Sequence, residues 1–102
     1  MSLAAAKGLK PREAIDAAYA YFEQFLGDRA VKNILLEELE FDDSSGHWLV
    51  TIGFDTGRTS FKQPSVHGSL SLFDSDEVVP IREARRFYIT DDGGALTKME
   101  RA

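Results

Sequence analysis

The spacing of apolar side chains changes once along this chain, from a helical period to an alternating one. Between Pro11 and Leu26 the apolar residues Ile15, Ala18, Tyr19, Phe22, Phe25 and Leu26 recur three and four apart, leaving Arg12, Asp16, Glu23 and Gln24 on the opposite side. That period predicts an amphipathic helix. Its ends carry matching signals. Pro11 suits the first helical position, Glu13 and Asp16 place negative charge near the positive end of the helix dipole, and Gly27 suits a left-handed residue after the last turn. Ala14, Ala17 and Ala18 leave room for a close neighbour.

From Asn33 onward the period drops to two, and turn residues divide the sequence into two strand pairs. One spans Asn33 to Phe54 around Asp42-Asp43-Ser44-Ser45-Gly46; the other spans Ile81 to Ala102 around Asp91-Asp92-Gly93-Gly94. With the first hairpin closed by residues 43 to 46, Phe41 stands opposite Trp48, Leu39 opposite Val50, Glu37 opposite Ile52 and Leu35 opposite Phe54. All but Glu37 are apolar, so this is the face expected to meet the helix. The reverse face pairs Glu40 with Leu49, Glu38 with Thr51 and Leu36 with Gly53, a mixed composition suited to greater exposure. In the second hairpin Phe87 and Ile89 are expected inward, although a one-residue slip would exchange them with Tyr88 and Thr90.

These elements predict an α+β fold with one N-terminal helix packed on a four-stranded antiparallel sheet. A 16-residue helix is about 24 Å long and four strands are roughly 15 to 20 Å across, so one helix covers one sheet face. Residues 1 to 10 are read as a flexible lead-in and residues 11 to 102 as a single domain with a long loop at 55 to 80. Within that loop Ser69-Leu70-Ser71-Leu72-Phe73 alternates and offers an optional fifth, edge strand, with Asp74-Ser75-Asp76-Glu77 as its solvated end.

The elements taken together resemble a known group. A helix, an LLEELEF strand, a DSSG turn, a strand opening on Trp48 and a final FYIT-DDGG-ALTKM hairpin are similar to the small bacterial cystatin-like folds, especially the PepSY-like domains. The resemblance covers residues 11 to 54 and 81 to 102. It implies binding or restraint of other proteins, peptidases among them, and carries over no catalytic residue. The chain departs from that pattern in the long segment between its hairpins.

Composition narrows the functional classes. With 17 acidic against 12 basic residues the 102-residue chain has a net charge of −5 and no basic stripe, so nucleic acid is not an expected partner. Cysteine is absent, which removes disulfides, thiolate metal sites and a cysteine nucleophile. No apolar run approaches the ~18 residues of a membrane span, and Met1 to Gly8 lacks the apolar stretch of a signal peptide. A cytoplasmic protein without a membrane partner is expected.

Four patterns bear on chemistry. Asp55-Thr56-Gly57 matches the tripeptide of aspartic peptidases, whose short members need two such carboxylates sharing a proton across a dimer axis. The preceding helix and the late position of Asp55 favour a strand-end turn instead. His47 and His67 match no metal-ligand spacing, and Asp74, Asp76 and Glu77 lack the glycine and distal glutamate of a calcium loop. Neither a metal nor another cofactor is expected. Glu37, a lone acid among apolar side chains, needs a partner, for which Arg85 is the candidate; a pocket for a ligand carboxylate is the alternative use of that pair.

A separate consideration is the surface that one helix leaves uncovered. On the predicted register Ile34, Leu36, Leu49 and Tyr88 lie on the outer face beside Thr51, Arg86 and Thr90, to be covered either by a partner or by Leu70, Leu72 and Phe73 folding back over them as further core. The expected function is therefore a non-enzymatic protein-interaction module, homodimeric or bound to another protein through Ile34, Leu36, Leu49, Arg86 and Tyr88. The alternative is a small-molecule binder with a helix–sheet cleft near Arg85, and a remote one is a dimeric aspartic peptidase using Asp55.

Overall fold

The computed structural model describes residues 8 to 61 and 78 to 102. Helix α1 runs Pro11–Leu26 and is followed by β1 (Lys32–Asp42), β2 (His47–Phe61), β3 (Val78–Thr90) and β4 (Leu96–Arg101). The strands form one antiparallel sheet in the order β1-β2-β3-β4, with α1 packed across one face. This is the expected α+β arrangement. Residues 69 to 77, including the optional fifth strand, lie outside the described residues, as does His67.

The helix starts where Pro11 permits it, and the Glu13 carboxylate accepts a 2.7 Å hydrogen bond from the Lys10 backbone N–H just ahead. Gly27 ends it differently from expectation. Its φ of −68° is right-handed, and its N–H simply extends the ladder to the Glu23 carbonyl at 2.9 Å. Ala14 and Ala18 are fully buried, so the first turns sit close to the sheet; Phe22 and Leu26 fill the wider space beyond. Phe22 meets Phe54 edge-on at 5.3 Å and Phe87 at 6.4 Å between ring centroids. Val50, Ile52 and Ile89 complete the core. Phe25 is not part of it: it is 44% exposed and stacks on Tyr21 along the helix flank.

Ahead of the helix, Gly8 and Leu9 are tied to the turn between β3 and β4. Gly8 bridges to Asp92, and the Asp91 carboxylate accepts both the Leu9 N–H and the Trp48 indole N–H at 2.9 Å. Trp48 itself packs partly buried against the core, with Phe41 beside it at 4.9 Å.

The first hairpin keeps the predicted register from Glu38↔Thr51 to Asp42↔His47, then departs from it. A bulge at Glu37 brings Leu36 opposite Ile52 and Leu35 opposite Gly53. Glu37 is thereby moved off the helix side. Its carboxylate lies over Gly53, where a Cβ would collide with it. A second irregularity follows at Asn33, whose φ of 52° is the one positive value outside glycine among the described residues. Phe87 and Ile89 are fully buried in the second hairpin, as expected.

The segment expected to be a loop from 55 to 80 is strand at both ends. Asp55–Phe61 continues β2, and Val78–Arg82 opens β3, joined through Thr59↔Pro80, Ser60↔Val79 and Phe61↔Val78. Three residues, Thr56, Gly57 and Arg58, bulge against Ile81. Gly57 has φ +86°, and a Cβ there would sit 2.6 Å from the Ala30 carbonyl oxygen, so glycine answers both a backbone and a space requirement. Fifteen residues of β2 span about 50 Å, whereas α1 covers only about 24 Å. A two-stranded arm therefore runs past both the helix and the flanking strands.

Candidate protein-interaction surface

Side-chain alternation along the strands sorts two faces. Leu39, Phe41, Trp48, Val50, Ile52, Phe54, Arg85, Phe87 and Ile89 lie on the helix side; Glu38, Glu40, His47, Leu49, Thr51, Arg86, Tyr88, Lys98 and Glu100 lie on the outer side. Of the five residues expected on the outer patch, Leu49, Arg86 and Tyr88 are there. Ile34 is not, because the bulges return it to the helix side, where it packs against the core. Leu36 likewise stands opposite Ile52 at the sheet margin. In exchange Leu35, opposite Gly53, is 57% exposed.

A polar cluster occupies the β3–β4 half of this face. Tyr88 donates to Glu100 Oε2 at 2.7 Å, Arg86 donates to the same oxygen at 3.1 Å, and Lys98 reaches Oε1 at 3.1 Å. The Tyr88 hydroxyl, then the Lys98 ammonium and Arg86, hold the Glu100 carboxyl down to about 2. Lys98 also sits 5.2 Å above the Tyr88 ring. His47 lies edge-on to Tyr88 at 6.4 Å, with its Nδ1 bonded to the Ser45 carbonyl. Thr51, in the centre, is only 5% exposed and its hydroxyl has no partner among the described residues.

A second network fixes the start of the arm. Asn33 donates to Asp55 Oδ2 at 2.6 Å, and Arg82 donates from one nitrogen to Asp55 Oδ1 and to the Asn33 carbonyl, both at 3.0 Å. The other side of the Arg82 guanidinium holds Glu37 at 3.2 Å. The Asn33 amide first, and Arg82 second, keep Asp55 below the ordinary carboxylate range. Both Asp55 oxygens are thus taken by donors. A peptidase pair requires instead a carboxylate free to share a proton with its twin.

Glu37 and Arg85, expected to pair, face opposite sides of the sheet. Arg85 keeps to the helix side, where it donates to Glu83 at 2.9 Å and to the Ala84 carbonyl at 3.1 Å, with its guanidinium 5.5 Å from the Phe54 ring centre. Arg85, with smaller contributions from Arg101 and Arg58, lowers the Glu83 carboxyl. Among the described residues no pocket opens beside Arg85 or elsewhere.

The residues that sequence reasoning missed here are Arg82, Glu100 and Lys98. Lys98 and Glu100 were legible as alternating charges on a short final strand, and Arg82 follows from the charge that Glu37 needs to meet. No family model, curated protein or solved structure matches the chain. No described helix is long and apolar enough to cross a membrane.

Proposed function

We propose that this chain is a non-enzymatic protein-interaction module that associates with a second copy of itself through the outer face of its sheet. The observation that carries this reading is the one-sided layering: α1 covers one face, while among the described residues no element packs on the other. Leu49 on β2 sits mid-face, with Glu38 and Glu40 on β1 to one side and Arg86 and Tyr88 on β3 to the other. A two-fold axis parallel to β2 would set the acidic flank of each copy over the basic strand of the other, with Leu49 near the axis. The cystatin-like, PepSY-like resemblance points the same way, since such domains bind other proteins. Absence of cysteine suits a reducing compartment, and the cytoplasm is the proposed location.

A small ligand at Arg85 draws less support, because Glu83, Ala84 and Phe54 already occupy that guanidinium. Sedimentation velocity tests the main reading. The wild-type chain should sediment as a dimer at high concentration, and Leu49→Glu should sediment as a monomer with an unchanged circular dichroism spectrum. Identical dimers from both would move the interface elsewhere; monomers from both would remove it.

A further inference from the structure

We infer that the regular half of β1, Glu38–Asp42, accepts an added strand from another protein, an extended segment in which lysine or arginine alternates with apolar residues. This rests on the interaction-module reading and adds a second partner with stated chemistry. β1 is an edge strand, and among the described residues nothing pairs with its outer side. An unpaired row of backbone N–H and C=O groups is a template for strand addition. Both irregularities of β1 fall before Glu38, so Glu38–Asp42 runs as five consecutive ladder positions without a bulge. The opposite edge, β4, is a shorter strand whose Lys98 and Glu100 are already paired.

Side-chain alternation on this half-strand reads as a code. Glu38 and Glu40 project to the outer side, and neither forms an ion pair among the described residues. Leu39 and Phe41 project to the helix side, Phe41 being 38% exposed against Trp48. Asp42 is committed to its own turn, accepting from Ser44 and Ser45. An incoming strand therefore gains from cations opposite Glu38 and Glu40 and from apolar side chains opposite Leu39 and Phe41. A second copy of β1 does not satisfy this. Antiparallel pairing centred on Leu39 sets Glu38 across from Glu40 of the other copy, and like charges directly opposite are destabilising.

Trp48 is the sole tryptophan and its ring lies tilted against Phe41 at 4.9 Å between centroids, so its fluorescence reports on this edge. The test titrates the full chain with three synthetic heptapeptides: alternating lysine and valine, the same residues in two blocks, and alternating glutamate and valine. The alternating lysine peptide should shift Trp48 emission saturably, weaken as salt is raised, and protect amides of residues 38 to 42 from hydrogen exchange. Glu38→Lys with Glu40→Lys should reduce its affinity roughly tenfold or more and confer binding of the glutamate peptide. Absence of binding, equal binding of the block peptide, or protection outside residues 38 to 42 would overturn the inference. If the lysine peptide fails while the chain still dimerises, only this inference falls. If the peptide binds a chain that never dimerises, only the self-association falls.

Discussion

Replacing Gly53 by alanine tests the bulge that sets the sheet apart from its expected register. A methyl at Gly53 would occupy the space now held by the Glu37 carboxylate, and would force that side chain off the Arg82 guanidinium. The displaced group is the end of a flexible side chain, and the ion pair it leaves is more than a third exposed, with side-chain accessibilities of 34% and 41%. Such a pair contributes about 0.2 to 1 kcal/mol. Alanine in place of a strand-interior glycine returns roughly 0.5 to 1 kcal/mol through the unfolded chain. Gly53→Ala should therefore change stability by no more than about 1 kcal/mol in either direction. The sharper outcome lies in the double-mutant cycle. Urea unfolding should show Glu37→Gln costing a few tenths of a kcal/mol or more in the wild-type background and nearly nothing alongside Gly53→Ala. A loss above about 2 kcal/mol for Gly53→Ala, with the Glu37→Gln cost intact beside it, would refute the placement of Glu37 over Gly53.

Phe22→Ala removes the side chain that joins Phe54 to Phe87, and should cost about 3 to 5 kcal/mol, seen as a fall in Tm of roughly 15 °C or more by calorimetry. Gly57→Ala should cost about 1 to 3 kcal/mol in urea unfolding, because its φ of +86° and the nearby Ala30 carbonyl both oppose a Cβ. The Glu100 carboxyl is depressed from 4.5 to about 2, so its contribution is fully present above 4.5 and disappears as pH falls toward 2. Thermal melts across that window should show wild type converging on Glu100→Gln at the acid end; parallel curves would contradict the cluster around it.

The helix was legible because four signals agreed there: period, proline, first-turn acids and the small residues that face the sheet. The first hairpin was legible near its turn, where Phe41 and Trp48 leave one register, and illegible beyond Glu38. Alternation carries no mark for an inserted residue, and Glu37 announced itself only as an acid in an apolar row. Reading that acid as a bulge would have recovered Leu36, Ile34 and the Arg82 partner together. Phe25 shared the helical period of the buried residues, yet the sheet is too narrow to cover the flank it occupies with Tyr21. The arm was missed because Arg58, Thr59, Ser60 and Pro80 carry little apolar alternation. A ribbon exposed on both faces does not need it.

The most direct measurement of self-association through the outer sheet face is the solution mass of the wild-type chain by light scattering across a wide concentration range, repeated for Leu49→Glu. A wild-type mass rising from monomer to dimer, with the variant held at monomer, is the expected result. A wild-type mass equal to the monomer at every concentration would contradict it.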